Sequence, residues 1–270
     1  MSRNRFWLLL VLCCSLALLV ACGGGGDEGE DSGEGNKVPE ASSDAPADTA
    51  PAVDTANAGG VKGVINYSGP DPDTTIAMNA DPTCASLHTT PVDTDKYRVS
   101  GGKLGNVFVY VKTGLEGKNF PTPTEKKVLD QQGCQYHPHV FGIQVGQPLS
   151  IKNSDATLHN IHGMPKSNQE FNQGQPIQNM EFDHIFDKAE VMVPFKCDVH
   201  PWMNAYVGVL PHPYYAVSAE DGTFSIDKLP PGTYTLEAWH EELGTATQQV
   251  TVAANQTADV TFDFQPKTGG

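Results

Sequence analysis

The chain has 270 residues, with 17 Lys and Arg against 32 Asp and Glu, for a formal net charge of −15. This balance excludes a nucleic-acid binder, which needs a basic face, and it permits a basic protein partner. The residues from Gly60 onward are enough for two small domains.

The N-terminus reads MSRNRFWLLLVLCCSLALLVAC. Arg3 and Arg5 precede an apolar run from Phe6 to Val20, a secretory signal too short for a stable membrane span. Residues 1–21 are therefore expected to be removed. Leu19-Val20-Ala21-Cys22 resembles the lipobox of bacterial lipoproteins, which implies cleavage before Cys22 and acylation of its thiol. The expected location is the bacterial cell envelope, on the periplasmic or the surface side, with the acyl chains as membrane anchor. Residues 22–59 are Gly, Asp, Glu, Ser, Ala and Pro with almost no large apolar side chain. Such a segment reads as a disordered acidic linker.

Of six cysteines, Cys13 and Cys14 leave with the signal and Cys22 carries lipid. In an oxidising compartment the remaining odd count leaves one thiol with another task. Cys84 and Cys134 lie in the turn-rich stretches ADPTCASLH and QQGCQYHPH and are expected to form a disulfide. Cys197 remains.

No helix of normal length is expected. Short alternating runs between Gly, Pro, Asn and Asp predict an all-β chain. Expected strands are VKGVINYSG (61–69) and GNVFVYVKT (105–113), the latter with Val107, Val109 and Val111 on one face. HVFGIQVGQPLSIKNSD (139–155) predicts two strands broken at Gly146-Gln147-Pro148. IQNMEFDHIF and AEVMVPFKC follow, and in the second Val191, Val193, Phe195 and Cys197 share an inward face. Beyond Pro211–Pro213 about five more short strands are expected, with turns at Glu220-Asp221-Gly222 and Pro230-Pro231-Gly232. The expected division is a first β-sandwich over 60–212 and a second over 213–270.

Cys197-x-x-His200-x-x-Met203 places a thiol, an imidazole and a thioether in one tight loop. A type 1 copper site needs two imidazoles and a thiolate, with a weak axial sulfur. PLSIKNSDATLHNIHGMP supplies an earlier imidazole, His159, after a strand and a turn. Zinc would accept Cys and two His, yet its sites rarely use Met, so copper ranks first.

These residues resemble the plastocyanin-like cupredoxins over roughly 100–210. The matching features are an Asn-x-x-x-x-x-His-Asn context at Asn153–Asn160 and the aromatic-x-Cys-x-x-His run Phe195–His200. The resemblance implies a Greek-key β-sandwich holding one type 1 copper ion, with His159, Cys197 and His200 as equatorial ligands. Asn160 would brace the loop and His162 would stand behind the ligands. Met203 is the expected axial ligand, although it sits closer to the His than in typical plastocyanins, and His162 or Met164 could compete. A His-x-x-Met interval also occurs in the binuclear copper domain of cytochrome oxidase subunit II, but that centre needs two cysteines in the loop. The resemblance also implies that His200 has its ring edge near the surface and is the electron port, with Pro201, Trp202, Met164 and Pro165 as an apolar docking patch. The His-Pro-His of His137 and His139 reads as structural.

DGTFSIDKLPPGTYTLEAWHEELG resembles carboxypeptidase regulatory-like (transthyretin-like) domains through Gly222, Phe224, Leu229, Pro230, Pro231, Gly232, Tyr234 and Leu236. Trp239 and His240 in this stretch read as core. No nucleophile–base pair, carboxylate dyad or phosphate loop is present, so an enzyme is not expected. The expected function is a lipid-anchored one-electron carrier acting on a redox partner protein. Two alternatives stay open: a copper chaperone or store, and a metal-free structural or carbohydrate-binding surface lipoprotein.

Overall fold

The computed structural model describes residues 55–72 and 74–267. The signal peptide, Cys22 and most of the acidic linker lie outside them. The described part is all-β apart from a 3-10 turn at Met78–Ala80 and a short helix α1 at Pro82–Ser86.

Eighteen strands form four sheets. In chain order they are β1 (Gly59–Tyr67), β2 (Arg98–Ser100), β3 (Lys103–Gly105), β4 (Phe108–Thr113), β5 (Lys127–Gln132), β6 (Gln135–His137), β7 (Val140–Gln144), β8 (Leu149–Asn153) and β9 (His159–Gly163). Then come β10 (Phe171–Gln175), β11 (Glu181–His184), β12 (Glu190–Lys196), β13 (Asn204–Leu210), β14 (Tyr215–Val217), β15 (Thr223–Leu229), β16 (Gly232–His240), β17 (Gly244–Val252) and β18 (Thr257–Phe264).

One sandwich packs the sheet β10-β9-β12-β13-β7 against β11-β8-β5-β6. Its core includes Leu129, Ile143, Ile151, Ile161, Phe186, Val193 and Phe195. The other sandwich packs β15-β1-β3-β2, with β18 also on β1, against β14-β4-β16-β17. Its core includes Val61, Ile65, Leu104, Val109, Leu236 and Phe262.

The division at 212/213 does not follow this pairing. β1 runs antiparallel to β15 and parallel to β18, and β4 pairs with β14 and β16. Strands from before residue 114 therefore complete the C-terminal sandwich, and the strands from 127 to 210 form an insertion in it. The physical reason lies in the strands after residue 214. Their apolar alternation leaves unpaired edges, and β1 and β4 cover them.

β4 is buried on both faces. Val107, Val109 and Val111 enter the C-terminal core, while Phe108 and Tyr110 face Val140, Met192 and Leu210 at the junction. Two glycines allow that junction. Gly142 and Gly208 sit side by side in the parallel β7–β13 register. The rings of Tyr215 and Phe108 stack 5.5 Å apart. A Cβ on Gly142 would come within 2.4 Å of the Tyr215 ring, and one on Gly208 within 2.3 Å of Phe108.

One facial assignment also changes. Val193, Phe195 and Cys197 are buried, but Val191 is 39 % exposed. A register shift between Glu190 and Val193 accompanies Met192 at φ +59°. This β-bulge reverses the alternation, so Met192 turns inward in place of Val191.

Candidate metal centre

The loop after β12 folds back tightly. The Cys197 amide donates to the Met203 carbonyl at 3.1 Å, and the Met203 amide to the His200 carbonyl at 2.9 Å. The His200 amide points at Cys197 Sγ, 3.4 Å away. β9 lies beside β12, with Lys196 opposite His162. This pairing brings His159, the first residue of β9, to the loop.

His159 Nδ1 and His200 Nδ1 are 3.0 Å apart, and Cys197 Sγ is 3.8 Å from His200 Nδ1. The ligand atoms of all three residues lie within 4.8 Å of one another. Nitrogens at ~2.0 Å and sulfur at ~2.3 Å from one ion, spread by 120°, would be ~3.5 and ~3.7 Å apart. The observed spacings straddle those values, so the donor set fits a single thiophilic ion. Met203 is buried in the same apolar cluster as Cys197, and its backbone closes the loop.

Each imidazole has a carboxylate on its outer nitrogen. Asp155 Oδ2 is 2.9 Å from His159 Nε2, and Asp81 Oδ2 is 3.1 Å from His200 Nε2. A carboxylate there accepts a hydrogen bond from the Nε2–H, and in the neutral ring this leaves the Nδ1 lone pair facing inward. Asp155 is fixed in turn by the amides of Gly133 and Cys134, at 2.8 and 2.7 Å. Burial pushes the Asp155 carboxyl up, but His159 and these amides outweigh it and hold the group below its ordinary range. Burial depresses His159, yet its bonds to Asp155 and Cys197 raise it overall. Burial likewise raises the Cys197 thiol, and His159 with the surrounding amides brings it below its usual value. The lowered thiol favours the thiolate that a soft ion needs, and an entering metal would displace any proton that the raised His159 holds on Nδ1.

Asn160 Oδ1 accepts from the Asp198 amide at 2.7 Å and lies 3.3 Å from Cys197 Sγ. It thus ties β9 to the ligand loop. His162 points away from the ligands and bonds Asp198 at 3.0 Å and Glu170 at 2.8 Å. It steadies the residue after Cys197 rather than the ligands themselves. His139 Nδ1 meets the Asn204 carbonyl at 3.1 Å, and its Nε2 pairs with buried Glu241. This contact secures the strand that leaves the loop. Trp239 packs against Tyr206, and His240 is buried.

Cys84 and Cys134 form a disulfide, and Cys197 is the free thiol among the described residues. The disulfide pins the segment around α1 over the site. Cys84 Sγ is 3.5 Å from His200 Nε2. The expectation that His200 reaches the surface therefore fails. Its ring is 2 % exposed, beneath Asp81 and the disulfide. The sequence reading missed Asp81, Asp155 and Glu241. The one available signal was Asp155, four residues before His159 in a turn.

Residues 200–265 match the carboxypeptidase regulatory-like domain family. That match begins inside the ligand loop and ends just after β18. No curated protein matches the chain. Among solved structures, a methionine mutant of amicyanin in the Cu(I) form is 22% identical, covering 31% of this chain and 81% of that one at a TM-score of 0.28. The purple cupredoxin from Nitrosopumilus maritimus is 22% identical, over 31% and 97% of the two chains, at 0.27. The copper-containing nitrite reductase from Thermus scotoductus is 16% identical, over 54% and 28%, at 0.29.

Proposed function

We propose that this chain is a mononuclear copper protein that passes single electrons to and from a partner, tethered to the cell envelope through Cys22. The observation that carries the reading is the convergence of His159 Nδ1, His200 Nδ1 and the Cys197 thiol, all three side chains buried. Soft thiolate and borderline imidazole together suit both copper oxidation states, and a rigid sandwich limits rearrangement between them. Copper bound there would supply the one-electron couple. The protein supplies the rest. Asp155 and Asp81 orient the imidazoles, Asn160 and the loop amides hold the thiolate, and the apolar core keeps water out. Met203, buried in the same apolar cluster as Cys197, would offer a thioether to that ion. The lipid anchor and the envelope location rest on the N-terminal sequence.

The test is to load the protein, expressed without its signal peptide, with one Cu(II) and record its visible spectrum. An intense thiolate-to-copper band is expected, together with a reversible one-electron wave, and Cys197→Ser should remove the colour. A colourless one-to-one complex would refute the type 1 assignment. A bound ion without a reversible couple would favour a copper store.

A further inference from the structure

We infer that electrons enter and leave this site through the ring of Trp202, not through the edge of His200. This rests on the copper reading above. Both outer imidazole nitrogens are occupied. His159 is fully buried against Asp155, and His200 is covered by Asp81 and the Cys84–Cys134 disulfide. Neither ring offers an edge to a docking partner.

Trp202 is placed to bridge that gap. Its ring lies 5.1 Å from the His200 ring, centroid to centroid. It is only partly buried, and exposed Pro201 precedes it. Its indole N–H donates to the Cys134 carbonyl at 3.0 Å, which locks the ring orientation on the disulfide loop. The indole therefore touches a ligand imidazole on its inner side and solvent on its outer side. Asp81 is the rival exit, because it bonds His200 Nε2 and its side chain is 27 % exposed. The π-system of a carboxylate spans only three atoms, whereas that of the indole extends across the whole ring system beside His200. In each exchange one electron moves between the bound metal and an outside one-electron donor or acceptor, and no proton need be transferred.

Two readouts test this. Cu(II) added to the apo protein without its signal peptide should quench tryptophan emission, and the quenched component should be missing in Trp202→Phe. In the copper-loaded protein, Trp202→Leu should slow oxidation by ferricyanide about tenfold, the low end of what removing a group against a metal ligand costs. The visible band and the potential should not move, and Trp202→Phe should recover much of the rate. The inference is overturned if Trp202→Leu leaves the rate unchanged, or if Asp81→Asn slows exchange while Trp202→Leu does not. If the wild-type protein shows no charge-transfer band, the type 1 electron-carrier reading on which this inference rests has failed, which the spectrum reports before any rate is measured.

Discussion

Replacing Asp155 tests how far the site is preorganised before any metal arrives. Its carboxylate is buried and accepts from three donors: the Gly133 amide, the Cys134 amide and His159 Nε2. Asp155→Ala strands all three. A buried donor left without a partner costs about 1–3 kcal/mol, and removing one member of a buried charge pair costs about 3–5 kcal/mol. The donors overlap with the pair, so these figures do not add, and we expect a loss of about 3–5 kcal/mol in the apo protein. Asp155→Asn keeps one acceptor oxygen but turns an NH2 group toward a donor, and should cost about half as much. The variants should also weaken Cu(I) binding by about 10–100-fold, since His159 loses the group that fixes its ring and tautomer. Urea unfolding of the apo protein with the disulfide intact gives the first number, and competition with a chromophoric chelator gives the second. If Asp155→Ala lay within about 1 kcal/mol of wild type, below the cost of even one stranded donor, the carboxylate would not be the keystone described here.

Three further outcomes follow from the geometry. Reducing the Cys84–Cys134 bridge, whose cysteines are 50 residues apart, should lower stability by about 4 kcal/mol on the loop-entropy scale, read as a denaturant midpoint shift between the oxidised protein and Cys84→Ala/Cys134→Ala; an unchanged midpoint would contradict it. Gly208→Val drives a side chain into the Phe108 ring and should cost about 1–3 kcal/mol by thermal unfolding, while the same change at open Gly174 should be tolerated. Acid should loosen the ligand loop: the Asp198 carboxyl is held down to about 2, chiefly by Lys196, with Asn172 and His162 assisting against burial. Its folded pKa lies below its unfolded one, so its contribution is complete above about pH 4 and is lost as pH falls toward 2; NMR titration of Asp198 and Asp198→Asn would show whether the loop follows that carboxyl.

Much of the site was legible because its ligands are local. Cys197, His200 and Met203 sit in one seven-residue loop, and His159 follows a strand and a turn that the sequence marks plainly. What stands behind the ligands was not legible, because it arrives from far away. Asp81 is 119 residues from His200, and Glu241 is 102 from His139. A lone carboxylate in a turn carries no mark of its distant partner. The strands divide in the same way. β4, β7 and β8 announce themselves through apolar runs. β10, Phe171–Gln175, lies at a sheet edge with little of its surface buried, so it has no apolar alternation to read. The inserted arrangement of the sandwiches was hidden for a related reason. The parallel pairing of β1 with β18 joins the two ends of the described chain, and no local pattern encodes it.

The two ligand imidazoles are held by different kinds of support, and this difference orders how the site should fail. The carboxylate behind His159 is fixed by two backbone amides at the β5–β6 turn and is buried. The carboxylate behind His200 caps α1, with Asp81 Oδ1 accepting from the Thr83 and Cys84 amides while Oδ2 faces the ring. That helix has only five residues, too short to be stable alone, so the disulfide must keep it over the site. Loss of the bridge should then free the His200 side first and leave the His159–Asp155 pair in place. Relaxation-detected NMR of the two imidazoles in the Cys84→Ala/Cys134→Ala protein would separate the cases. Broadening confined to His200 supports a pinned cap over a fixed base, and equal broadening of both rings would mean that the disulfide holds the whole pocket.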